Sequence, residues 1–93
     1  MIEVVQENGN IRGQFTAFLD SKEAGHMTYT WANEDKIIID HTDVNAEYNG
    51  KGIGKEMLLK AVEYARLNKL KIIPLCPFAK AQFDKNEHLR DVL

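Results

Sequence analysis

The sequence predicts an α+β fold built on a mixed sheet. Four antiparallel strands come first, then a long amphipathic helix, a fifth strand parallel to the fourth, and a short C-terminal helix or helices. Three observations carry this. Short β-branched or alternating segments separated by polar turns fill the first half, the hydrophobic period becomes helical after Lys51, and Gly50, Gly52 and Gly54 crowd the join between the two regimes. At 93 residues the chain reads as one domain with one site, able to bury roughly 60 to 65% of its unfolded surface.

Ile2 to Val5 is a short β-branched run, stopped by Glu7-Asn8-Gly9-Asn10, whose Asn-Gly pair is a strong hairpin signal. Arg12 to Leu19 is expected to pair back. The polar stretch Asp20 to Gly25 reads as the next break, after which Met27, Tyr29 and Trp31 alternate with His26, Thr28 and Thr30 as in a half-buried strand. Ala32 to Lys36 turns again, and Ile37-Ile38-Ile39 opens a fourth strand whose continuous apolar run predicts cover on both faces. From Lys51 onward Ile53, Met57, Leu58, Ala61, Val62 and Ala65 fall at helical spacing, opposite Lys55, Glu56, Lys60, Glu63 and Arg66. Asn68 and Lys69 loosen that helix, Leu70 to Leu75 reads as a strand, and a helical crossover makes it parallel to the fourth. Pro77 suits the first position of a last helix, with another turn or two in the tail from Asp84.

Composition narrows function. Charged residues at 28% and hydrophobic residues at 44% describe an ordinary globular chain, and a net charge of -2 leaves no footprint for nucleic acid. The single cysteine, Cys76, excludes an internal disulfide, and Met1-Ile2-Glu3 lacks the basic and apolar regions of a signal peptide, so the cytoplasm is the expected compartment. The longest apolar run, Ile72 to Phe78, contains two prolines and falls far short of the ~20 residues of a membrane span.

A strand-to-helix join rich in glycine is chemically suggestive. The first amides of a helix lack internal partners, its dipole adds about half a positive charge there, and glycine lets a phosphate approach bare backbone. A purely structural tight turn is the alternative. The segment is not a P-loop: Gly50 to Gly54 is one residue too short, and Glu56 follows Lys55 where a hydroxyl should stand. Nor is it a dinucleotide fingerprint, since GxGxG here follows an antiparallel meander rather than opening a βαβ unit.

Four antiparallel strands, then Asn49-Gly50-Lys51-Gly52-Ile53-Gly54 opening an amphipathic helix, then a strand and a small helix, resemble the GNAT superfamily of N-acetyltransferases. The superfamily signature, Gln or Arg, two variable residues, Gly, one variable residue, then Gly or Ala, departs here at Asn49. The resemblance runs from Ile2 to about Phe83 and is nearest to a reduced branch lacking the helical pair after the first strand. His41-Thr42-Asp43-Val44 and Cys76-Pro77 support that placement. It implies an acetyltransferase using acetyl-CoA and an amine acceptor, on a small molecule or a protein. The CoA diphosphate would lie on the backbone of Asn49, Gly50, Lys51, Gly52, Ile53, Gly54 and Lys55, and the pantetheine arm would pair with the fourth strand at Thr42, Asp43 and Val44. The fourth and fifth strands would splay to admit it. A CoA-binding or interaction module without turnover is the alternative, because no tyrosine lies beyond Tyr64 to protonate the departing thiolate.

Two side chains are candidates for chemistry. Cys76 precedes Pro77 at a helix cap, where the dipole favours thiolate, so it is either a nucleophile toward the thioester or a small core hydrophobe. His41 is a possible base, either for Cys76 or for an ammonium acceptor attacking directly, or else a structural residue. Strand parity puts His41 and Asp43 on one face and Asp40 on the other. His26 and His88 have no comparable setting, and the histidines and Cys76 lack the short paired spacing of zinc sites, so no metal is expected. Lys51 and Lys55 are at most phosphate helpers.

Overall fold

A computed structural model describes residues 1–93. Its five-stranded sheet follows chain order, β1 (Ile2–Asn8), β2 (Arg12–Leu19), β3 (Lys22–Asn33), β4 (Lys36–Val44) and β5 (Lys71–Pro74). The first three joints are antiparallel and the β4–β5 joint is parallel, as a helical crossover requires. Between β4 and β5 runs α1 (Ile53–Asn68), and after β5 come α2 (Pro77–Lys85) and a 3-10 segment (Glu87–Val92).

The turns differ from expectation in two places. Asn8-Gly9 does not centre the first hairpin: Asn8 ends β1, and its Oδ1 accepts from the Tyr29 hydroxyl at 2.7 Å and from Trp31 Nε1 at 3.3 Å. The second hairpin turns on Asp20-Ser21 alone, with φ of 50° and 70°, the geometry of a two-residue primed turn. β3 therefore begins at Lys22 rather than after Gly25, and Ala24 and Gly25 are buried within it.

One sheet face carries the core. Val4, Phe15, Ala17, Met27, Tyr29, Ile37, Ile39 and Ile72 meet Met57, Leu58, Ala61, Val62 and Ala65 of α1. Each large side chain so buried contributes about 1.5–3 kcal/mol. Both helices lie on this face, and α2 covers its β4–β5 end. The expectation of cover on both faces is corrected: Ile37 and Ile39 are fully buried, but Ile38 leaves the other way and is only half-buried. On that second face Val5 and Ile73 remain 43% and 41% exposed.

Helix ends follow local rules. α1 stops at Lys69 in the left-handed region, φ 56°, with the Leu70 amide returning to the Ala65 carbonyl at 2.8 Å. α2 begins with Pro77 at its first position and Cys76 as its cap. The tail is pinned back onto α1 by Arg66, which donates to both carboxylate oxygens of Asp91 at 3.0 and 2.7 Å and to the His88 carbonyl.

β4 outruns β5. Their register ends at Ile39–Pro74, the Cys76 amide donates to the Ile39 carbonyl at 2.9 Å, and the chain then leaves for α2. From Asp40 to Val44 the outer edge of β4 faces no strand. Pairing between β4 and β5 therefore stops five residues short of the end of β4, at the place where the splay was expected.

Candidate active site

The backbone ahead of α1 is built to leave donors free. A 3-10 turn, Ala46–Tyr48, delivers the chain to Asn49; it was not foreseen, because three polar or mixed residues carry no period. Gly50 and Gly52 then take φ of 79° and 78°, and a Cβ at either would meet nothing. Their requirement is conformational. The first helical bond runs from the Glu56 amide to the Gly52 carbonyl, so the amides of residues 50 to 55 donate to no group of the protein. Gly50, Gly52, Ile53, Gly54 and Lys55 of this run line a cleft of about 510 Å³ closed by Val44, Tyr48, Phe78 and Gln82.

Gly54 differs from its neighbours. A Cβ there would fall 2.6 Å from the Phe78 ring, so this glycine lets α2 press against the first turn of α1. Asn49 and Lys55 line the cleft and Lys51 does not. Tyr48, Phe78 and Gln82 are site-lining residues that sequence reasoning missed. Tyr48 could have been found from its place immediately before the glycine turn.

Cys76 and Thr42 meet on the helix-covered side of the splay. The Cys76 thiol, 4% exposed, lies 3.4 Å from Thr42 Oγ1. Val44 shares that side and borders the cleft. A β-bulge falls on the opposite strand edge: Thr28 pairs with His41 and Tyr29 with Ile39, leaving Asp40 without its own partner.

That bulge changes the predicted faces. Asp40 accepts from Thr30 Oγ1 at 2.9 Å, which places it on the uncovered face with His41 and Asp43 and not opposite them. His41 and Cys76 consequently leave opposite faces of the sheet. The pairing of His41 as base with Cys76 as nucleophile is not brought together. His26, read as having no special setting, is instead the cross-strand partner of Asp43, with its ring 6.1 Å from that of His41. His88 lies far along the chain on the 3-10 tail, where its carbonyl serves Arg66.

A mixed sheet opened between its fourth and fifth strands, with a donor-rich helix start at the mouth of the opening, has the GNAT architecture. The chain belongs to the GCN5-related N-acetyltransferase family, whose sequence model matches residues 14–92. Among solved structures it is similar to a GCN5-like protein from Staphylococcus aureus, at 36% identity and TM-score 0.71, over 97% of this chain and 85% of that one. A ribosomal-protein-alanine N-acetyltransferase from Brucella melitensis biovar Abortus shares the fold at 16% identity and TM-score 0.72, over 83% of this chain. A GNAT family acetyltransferase from Elizabethkingia anophelis, solved with acetyl-CoA bound, does so at 12% identity and TM-score 0.66, over 76% of this chain. The chain spans 62% of the length of each of these last two. No curated protein matches it. No helix is long and apolar enough to cross a membrane.

Proposed function

We propose that this chain is an acetyl-CoA-dependent acetyltransferase acting on an amine of a small molecule or protein, in the cytoplasm. The observation that carries the proposal is the set of unpartnered amides between Gly50 and Lys55, those of Gly50, Gly52, Ile53, Gly54 and Lys55 belonging to residues that line the cleft. Such donors at a helix start suit a diphosphate. The Elizabethkingia structure, with the same fold, holds acetyl-CoA.

In this reading the diphosphate rests on residues 49 to 55, Lys55 adds charge, and the pantetheine arm takes the free edge of β4 along Thr42, Asp43 and Val44. That path ends at the vertex of the splay, flanked by Cys76 on one face and His41 on the other. The supported chemistry is direct transfer. An amine approaching from the uncovered face attacks the thioester carbon, His41 takes its proton, and the carbon–sulfur bond breaks to release CoA. An acetyl-cysteine route has less support, because the Cys76 thiol is nearly enclosed and its hydrogen-bond partner is the Thr42 hydroxyl rather than a base.

The test is thermal melting with acetyl-CoA and with dephospho-CoA, followed by CoA release in the presence of an amine panel. A ligand held only by the native state at a hundred times its Kd stabilises by about 2.7 kcal/mol, so the midpoint should rise measurably. An unchanged midpoint at millimolar acetyl-CoA refutes the proposal. A raised midpoint without CoA release for any amine leaves a CoA-binding module and refutes turnover.

A further inference from the structure

We infer that His26, His41 and Asp43 form a binding site for a divalent transition-metal ion on the uncovered face of the sheet. Their ligand atoms, one from each residue, lie within 4.8 Å of one another. The chain spacing of these residues hides the site, because His26 and His41 come from different strands. Register assembles it: His26 stands directly across from Asp43, and His41 precedes Asp43 by two positions on the same face. His26 sits on a strand paired on both sides, with Thr16 of β2 and Asp43 of β4, and the β3–β4 ladder holds His41 opposite Thr28, so that ladder fixes the three backbone positions although the outer edge of β4 is free there.

The donors are uncommitted. Hydrogen bonding on this face occupies Asp40, through Thr30, and leaves the three side chains alone. The ion pairs of the protein are Met1–Asp20, Lys60–Glu63 and Arg66–Asp91, none of which draws on them. Asp40 adds a second carboxylate to the neighbourhood and favours a cation.

Chemistry and size select the ligand. Two imidazoles and one carboxylate are a borderline donor set, suited to zinc, cobalt or nickel and poorly suited to calcium or magnesium. A tetrahedral ion with bonds of about 2.1 Å spaces its donors roughly 3.4 Å apart, so side-chain rotations of about an ångström close the site without moving the strands. No helix covers the face, and the remaining coordination position stays open to water. A metal ion here would use the same imidazole that the proposed transfer needs as a base, but the site stands on register and donor chemistry alone.

The test is calorimetric titration of the whole chain with Zn²⁺, with Co²⁺ absorption as a second readout of imidazole coordination. One equivalent should bind to the wild type. His26→Gln and Asp43→Asn should each weaken binding by more than about a hundredfold, beyond what loss of an outer-shell partner costs, while Cys76→Ala and His88→Gln leave it intact. Both ligand substitutions lie on exposed or half-buried positions, and metal-free melting of each variant verifies its fold. Absence of binding at millimolar zinc overturns the inference. So does binding that survives His26→Gln or Asp43→Asn, or that disappears with Cys76→Ala or His88→Gln.

Discussion

The Phe78 ring fills the space that a side chain at Gly54 would need: a Cβ on Gly54 would lie 2.6 Å from Cζ of Phe78. This contact joins the first turn of α1 to the first turn of α2 and forms one wall of the cleft. Gly54→Ala should therefore destabilise the protein by about 1–3 kcal/mol, the usual cost of overpacking. The double variant Gly54→Ala/Phe78→Leu should recover part of that loss. Chemical denaturation of the four proteins of the cycle measures it, and a cycle with no coupling would sink the packing account.

Gly52 makes the opposite case, since it has open space but a φ of 78°. Gly52→Ala should cost about 1–2 kcal/mol of backbone strain with no rescue from any neighbour. Its amide would also lose its aim, so acetyl-CoA should bind more weakly than the stability loss alone explains. Calorimetry against acetyl-CoA well below the variant's melting point separates the two effects.

His41→Ala and Cys76→Ala should separate kinetically. His41→Ala should lower kcat by about 10²–10⁴ if it removes a general base, with a much smaller change in acetyl-CoA affinity. Cys76→Ala should retain turnover and lose only about 1–2 kcal/mol of stability from a buried sulfur and its Thr42 contact. Intact mass after exposure to acetyl-CoA supplies the decisive outcome. A thioester-labile acetyl adduct on wild type that Cys76→Ala lacks, with turnover lost, would replace direct transfer by the covalent route.

Asp91 and Arg66 set an acid limb of stability. The hydrogen bond from Arg66 holds the Asp91 carboxyl below its ordinary value, although both groups are solvent-exposed. A depressed carboxylate adds stability above its unfolded value of about 3.9, and that gain is lost as pH falls through the lower folded value. Wild type should thus exceed Asp91→Asn in melting midpoint by a constant margin above about pH 5, and the margin should vanish in stronger acid. High salt should narrow it.

Much of the architecture could be read from periodicity. Met27 and Tyr29 alternating with His26 and Thr28 gave the faces of β3, and Met57, Leu58, Ala61, Val62 and Ala65 gave the buried stripe of α1. The glycine turn pointed to the cleft. What escaped depended on distant partners. Ile38 looks like Ile37 and Ile39, and only the placement of both helices on one side decides that it stays half-buried. The bulge at Asp40 has no local signature, yet it moves Asp40 to the face of His41 and parts His41 from Cys76. The nearness of His26 to His41 exists only through strand register, and the role of Gly54 depends on Phe78, remote in the chain.

The chain-order sheet bears on how the polypeptide emerges during synthesis. The meander up to Val44 can zip together from the N-terminus as it leaves the ribosome, since each strand needs only the one just made. Phe15, Met27 and Tyr29 then wait, oily side bare, for α1 to arrive. A nascent chain stalled at the glycine turn should be sticky and chaperone-dependent, and release of a few dozen further residues should make it self-sufficient.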